Sequence, residues 1–150
     1  EGVAAAALKI VDGGVLTDWL LNSAQSRQLG LECNGRATRG VGGPPGSGPT
    51  NMYLENGKVP LAALMAEAGK GLLVTDKFSP QVNSNTGDYS VGCAGFWFEN
   101  GEIAHPVSEI TVAGNLLDMF GALVPANDLE FTGAINAPSL LVGEMMIAGD

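Results

Sequence analysis

The chain has 150 residues, 45% of them hydrophobic, with a mean hydropathy of +0.18. That is enough for an ordinary domain with a core, and too apolar for a disordered segment. Sixteen acidic residues against seven basic ones give a net charge of −9, which argues against nucleic acid and against an anionic membrane surface, since both need clustered Lys and Arg. The 22 glycines and 8 prolines point to many turns and short strands rather than a helical bundle.

In chain order, Val3–Val11 (VAAAALKIV) reads as a short buried strand, although its alanines also allow a helix. Asp12-Gly13-Gly14 reads as a turn. Thr17 is a candidate N-cap for a helix over Asp18–Leu29, with Gly30 just past its end. Leu20, Leu21 and Ala24 would face the core, and Trp19 would lie to one side of that stripe. Residues 34–50 (NGRATRGVGGPPGSGPT) form a Gly/Pro/Ser-rich loop carrying Arg36 and Arg39. Such a loop can cradle phosphate or carboxylate. It lacks the GxxxxGK pattern and a strand–GxGxxG–helix setting, so a surface loop is the better reading.

Thr50–Glu55 alternates as a strand does and leads into Asn56-Gly57, read as a tight turn. Pro60 opens a helix over Leu61–Ala68, with Leu61, Leu64, Met65 and Ala68 on one apolar face and Gly69 or Gly71 ending it. Gly71–Asp76 reads as a strand and Gln81–Asp88 as a polar turn region. Two β-rich runs follow, Tyr89–Glu99 and Glu102–Thr111, separated by Asn100-Gly101. Asn-Gly between such runs predicts a type I′ hairpin, whose two central residues need positive φ. Trp97 would point to the face opposite Phe96 and Phe98. His105-Pro106 marks an edge or a bulge, because proline has no N–H for the ladder. Asn115 can cap a helix over Leu116–Leu123, with Leu116, Leu117, Phe120 and Leu123 inward. Asn127-Asp128 reads as a turn, and Leu129–Phe131, Ser139–Val142 and Met145–Ala148 as closing strands. The fold class is α+β, mainly antiparallel sheet, barrel- or sandwich-like, with about three short helices.

Little in this pattern selects a chemistry. The one histidine is His105, and the two cysteines, Cys33 and Cys93, are 60 positions apart. A Cys93/His105 nucleophile pair would require the hairpin register to bring them together. With Asn100 and Gly101 in the turn, Cys93 faces position 108 instead. Two buried thiols are the better reading than a disulfide or a metal pair. There is no HExxH, no second His and no CxxC. The carboxylates Glu99, Glu102, Glu109, Asp118, Asp128 and Glu130 are scattered, and nothing selects an acid/base pair. No apolar run approaches the ~20 residues of a membrane span, and no export signal is visible, so a cytoplasmic location is the default expectation. The start at Glu1-Gly2-Val3, without Met, suggests a fragment of a longer protein.

Several runs together resemble the C-terminal part of the TldD/PmbA family: TNMYLENG (50–57), GLLVTD (71–76), VNSNTGDYSVGCAGFWFENGEIAHPVSEITVAGNLLDMF (82–120), NDLEF (127–131), APSLLV (137–142) and AGD (148–150). They look more like its PmbA (TldE) branch. The resemblance covers nearly all of the chain from about Gly13. It implies a single C-terminal domain of a longer chain whose N-terminal region is absent here. It further implies a cytoplasmic, heteromeric zinc metalloprotease in which a TldD-like subunit pairs with a PmbA-like one and cleaves unfolded peptides, in peptide-antibiotic maturation and antitoxin degradation. An older name for the family is modulator of DNA gyrase. In the TldD branch, zinc is held by an upstream helical HExxxH motif and a cysteine near the C-terminus.

That ligand set does not carry over. The histidines would lie outside this chain, and after Asn127-Asp128 the sequence LEFTGAINAPSLLV has no cysteine. The resemblance therefore implies no catalytic residue, no metal ligand and no cofactor in this chain, with zinc expected in the partner. The family-motif candidates for structural or cleft roles are Asp88, Glu99, Asn100, Gly101, Asn115, Asn127 and Asp128. His105 stands where Tyr is expected in this branch, Cys93 where a small residue is expected, and Pro125-Ala126 where Val-Gly is more usual. Two alternatives stay open. One is a self-sufficient homodimeric peptidase with its site in the N-terminal half. The other is a regulatory module that takes an extended peptide at the strand edge near His105-Pro106. Self-association of the isolated chain through exposed interface surface is a further expectation.

Overall fold

The computed structural model describes residues 1–149; Asp150, the last residue of the AGD motif, lies outside them. The described chain divides into two compact units, residues 1–53 with 131–136, and residues 54–130 with 137–149.

In the first unit, strands β1 (Val11–Asp12) and β2 (Val15–Leu16) form a small antiparallel hairpin. Gly13 and Gly14 sit at φ +56° and +82°, which confirms the turn and explains why glycine occupies both positions. The buried strand over Val3–Val11 is not formed. Residues 3–10 have no strand pairing, and Val3 is 42% exposed; alanine offers too little apolar area to hold such a run in a core.

Helix α1 spans Ser23–Leu29, five residues later than the sequence suggested. The Thr17 hydroxyl donates to the Lys9 carbonyl (2.8 Å) instead of capping. Asn22 is the N-cap: its Oδ1 accepts from the Gln25 amide (2.9 Å), and Gln25 Oε1 accepts from the Asn22 amide (3.3 Å). This reciprocal box satisfies two end amides at once, which a start at Thr17 could not do. Gly30 ends the helix in the left-handed region, as expected. Leu21 is buried, whereas Ala24 and Trp19 are exposed. Asn22 also donates to the carbonyls of Pro45 and Gly46 (3.2 and 3.1 Å) and is itself buried. Asn22→Ala should lower stability by about 2 kcal/mol, the upper end for a cap, as measured by denaturant unfolding; a loss under about 0.5 kcal/mol would contradict this role.

The Gly-rich loop contains a two-rung hairpin, β3 (Ala37–Thr38) with β4 (Gly46–Ser47). Arg36 is turned onto the chain itself, its Nη2 donating to the Ala6 carbonyl. Strand β5 is only Met52–Tyr53, and it pairs in parallel with a later pair of residues, Ile135–Asn136. Phe131 lies edge-on against Tyr53 (5.3 Å between ring centroids), in coil rather than in the predicted strand over Leu129–Phe131.

The second unit begins with helix α2 (Leu61–Ala68), at the predicted bounds. Pro60 is its N-cap rather than its first helical residue, and Gly69 closes it at φ +74°. Leu64 and Met65 are buried; Leu61 is half-buried and Ala68 exposed. Three long strands follow: β6 (Lys70–Val82), β7 (Asp88–Glu99) and β8 (Glu102–Asn115). β6 and β8 outrun their predicted ends, so the polar turn shrinks to residues 83–87. Asn100 (φ +53°) and Gly101 (φ +79°) make the predicted hairpin turn. After β8 come α3 (Leu116–Gly121), β9 (Val124–Pro125), β10 (Ile135–Asn136, the partner of β5), β11 (Leu140–Leu141) and β12 (Met146–Ala148). The open sheet runs β12-β8-β7-β6 and is wholly antiparallel; β9 pairs with β11 apart from it. The class is thus α+β and mainly antiparallel, and the described residues form no closed barrel.

Four register shifts organise this sheet. On β8 they fall at Ala104 and at Ser108–Glu109, where Glu109 takes φ +56°. On β6 they fall at Thr75 and at Ser79-Pro80, with Ser79 at φ +49°. Pro80 stands within a bulge, and Pro106, paired with Phe96, lies on the stretch of β8 that β12 leaves uncovered; a missing N–H is tolerated in both settings. The two bulges on β8 move the partner of Cys93 from position 108 to Ile110. Alternation puts Val91 and Cys93 on one face of β7, packed with Ile110 and Val112 as the core. Phe98 is buried on the opposite face, its ring lying over Gly71.

Asn56-Gly57 is not a turn. Asn56 Oδ1 accepts from the Leu129 amide (2.9 Å), and Gly57 runs so close to the Pro125 carbonyl that no Cβ would fit. The glycine is needed for close approach, a requirement the dipeptide alone does not reveal.

Candidate functional site

The family-motif candidates lie in three separate places. At the open end of the long sheet, Asp88 and Asn115 are direct partners across β7 and β8. Asp88 Oδ2 accepts from the Thr86 hydroxyl at 2.6 Å. Asn115 Nδ2 donates to the Thr86 carbonyl at 2.9 Å, and its Oδ1 accepts from the Leu117 amide at 3.0 Å. Asn115 thus caps α3 while tying down the 83–87 loop, and Gly87 (φ +81°) lets that loop pass close against its side chain. This end of the sheet borders a cleft of about 700 Å³ lined by Val82, Tyr89, Asp118 and Met146 among others. Burial pushes the Tyr89 hydroxyl pKa up. The α3 residues expected to face inward do not. Leu117 and Phe120 are 75% and 66% exposed, and Leu116 and Leu123 are only half-buried.

At the other end of the sheet, Glu99 and Glu102 face each other across the Asn100-Gly101 turn. Trp97 Nε1 donates to Glu99 Oε1 (3.1 Å). The Gly101 amide donates to the Gly69 carbonyl (3.2 Å), and a Cβ on Gly101 would lie 2.9 Å from Ala66 Cα, so the turn rests on the end of α2.

The third place is the segment after β9. The Asn127 amide donates to the Val59 carbonyl (2.9 Å), and Asp128 Oδ1 accepts from the Ser139 amide (2.8 Å). Hydrogen bonds from the Ser139 side chain and amide hold the Asp128 carboxyl below its usual pKa. A depressed carboxylate stabilises the fold above its unfolded pKa, and that stabilisation is lost as pH falls through the folded value. In thermal melts from pH 7 down to pH 2, the Asp128→Asn variant should therefore lose less stability than the parent below about pH 4, where an unperturbed Asp titrates. Equal acid slopes for the two proteins would refute this.

The remaining reactive groups stay apart. His105 is exposed and opposite Trp97, whereas Cys93 is opposite Ile110. Four residues of strand between those rungs put the two about 13 Å apart, so they form no nucleophile pair. Cys93 is fully buried, and burial pushes its thiol pKa up. Cys33 is half-buried rather than buried; the Gly35 amide draws its thiol pKa down. Among the described residues, no three His, Cys, Asp or Glu side chains gather as a metal site. A zinc ion takes three or four converging N, S or O ligands, and the described residues of this chain gather no such set by themselves. No helix among the described residues is long and apolar enough to cross a membrane.

The edge near His105-Pro106 is a poor acceptor for an added strand. β12 covers only Thr111–Ala113 of β8. Along the uncovered part stand the bulge at Ala104, Pro106, and Glu109 in the left-handed region. Bulges and proline are the usual devices by which edges resist pairing.

Residues 1–149 match the PmbA/TldA metallopeptidase C-terminal domain. The chain belongs to the PmbA/TldD family. It is 43% identical over 150 residues to the Metalloprotease PmbA of Escherichia coli O157:H7, covering 99% of this chain and 31% of that protein. It is 41% identical over 152 residues to the Metalloprotease PmbA homolog of Haemophilus influenzae, covering 100% of this chain and 32% of that protein. A crystal structure from Thermotoga maritima, described as a modulator of a DNA gyrase, superposes with a TM-score of 0.83 at 34% identity, over 98% of this chain and 34% of that one. TldE from Thermococcus kodakarensis shares the fold, with a TM-score of 0.81 at 21% identity over 93% of this chain and 33% of that one. The chain thus spans about a third of the length of these PmbA/TldD-family relatives.

Proposed function

We propose that this chain is the C-terminal domain of a PmbA/TldE-type subunit, and that the subunit works within a heteromeric, cytoplasmic zinc metalloprotease acting on unfolded peptides. Family membership over residues 1–149 carries the reading. The dispersed donor set supports a division of labour in which a TldD-like partner holds the zinc and this chain shapes the assembly. On this reading, Asp88, Asn115, Asn127 and Asp128 set loop and helix geometry, and Glu99, Asn100 and Gly101 set the hairpin end.

The test is cleavage of an unfolded peptide by the longer protein that carries this domain, alone and with its TldD-like partner, each with added zinc or with a chelator. Cleavage that needs the partner and is abolished by the chelator is the expected result. Zinc-dependent cleavage without the partner would overturn the proposal and place a complete site in the same polypeptide.

A further inference from the structure

We draw no further inference here: the strongest candidate, the cleft at the open end of the long sheet lined by Val82, Tyr89, Asp118 and Met146 among others, is a mostly apolar surface for which nothing in the structure shows what covers it.

Discussion

Replacing Gly95 with alanine will destabilise the long sheet by about 3 kcal/mol, the upper range for forcing extra volume into a packed site. Gly95 sits in the middle of β7, between Val74 of β6 and Val107 of β8, next to a bulge in each neighbour. A Cβ there would overlap the backbone carbonyl of Leu73 and lie 3.0 Å from Val74 Cα. The obstacle is main chain within a hydrogen-bonded ladder, so no side-chain rotation relieves it. The strands would have to separate locally and surrender ladder bonds. Equilibrium denaturation of Gly95→Ala beside Gly121→Ala makes the comparison, since Gly121 has no atom near its Cβ position. Similar stabilities for the two variants would mean that β6 and β7 are not packed this closely.

Phe98→Ala should cost about 3–5 kcal/mol, the range for truncating a buried phenylalanine. Phe98 is 5% exposed, and it is the buried aromatic on the face of β7 opposite the Val91–Cys93 core. A Cβ on Gly71 would come within 2.9 Å of the ring tip, so the ring occupies the space that the glycine leaves. Truncation opens a cavity and exposes the Gly71 backbone to water at the same rung. Phe98→Leu, which keeps most of the volume, should lose far less. A loss below 1 kcal/mol for Phe98→Ala, read from denaturant midpoints, would show that this face is not a second core.

The long hairpin was legible in the sequence because its signal is local. Asn-Gly supplies positive φ at adjacent positions, and the flanking runs carry β-branched and aromatic residues. The same holds for Gly13-Gly14, for α2 with Leu64 and Met65 on one face, and for Asn115 as a cap. Misreadings came where a distant partner decides. Val3–Val11 looks like a strand, yet only Val11 joins a ladder and residues 3–10 have no strand pairing. Asn56-Gly57 looks like a turn, yet its glycine answers to Pro125, far along the chain. The Leu117/Phe120 periodicity was real, but an apolar face does not say what covers it. The start of α1 could have been found from Asn22 and Gln25, which hold the capping-box spacing with Asn in place of the usual Ser or Thr. For the candidate residues, motif position was visible in the sequence, whereas their dispersal to three places depends on the folded path of the chain.

The bulges give the long hairpin a grammar of length. β7 uses 12 residues, while β8 uses 14 to run beside it, and both spare residues lie on β8. β6 likewise spends 13 residues against the 11 from Tyr89 to Glu99. β7 is the ruled line, and its neighbours carry the slack, two residues on each side. Each spare residue shifts the sequence parity of its own strand by one, yet paired residues still share a face: Val107, between the two bulges on β8, packs against the same core as Ile110 and Val112 beyond them. The inserted residues thus curve the flanks around β7 while its inside-outside order stays intact. A change of length in β8 or β6 can therefore be absorbed at an existing bulge, whereas a single deletion in β7 would throw both flanks out of phase together.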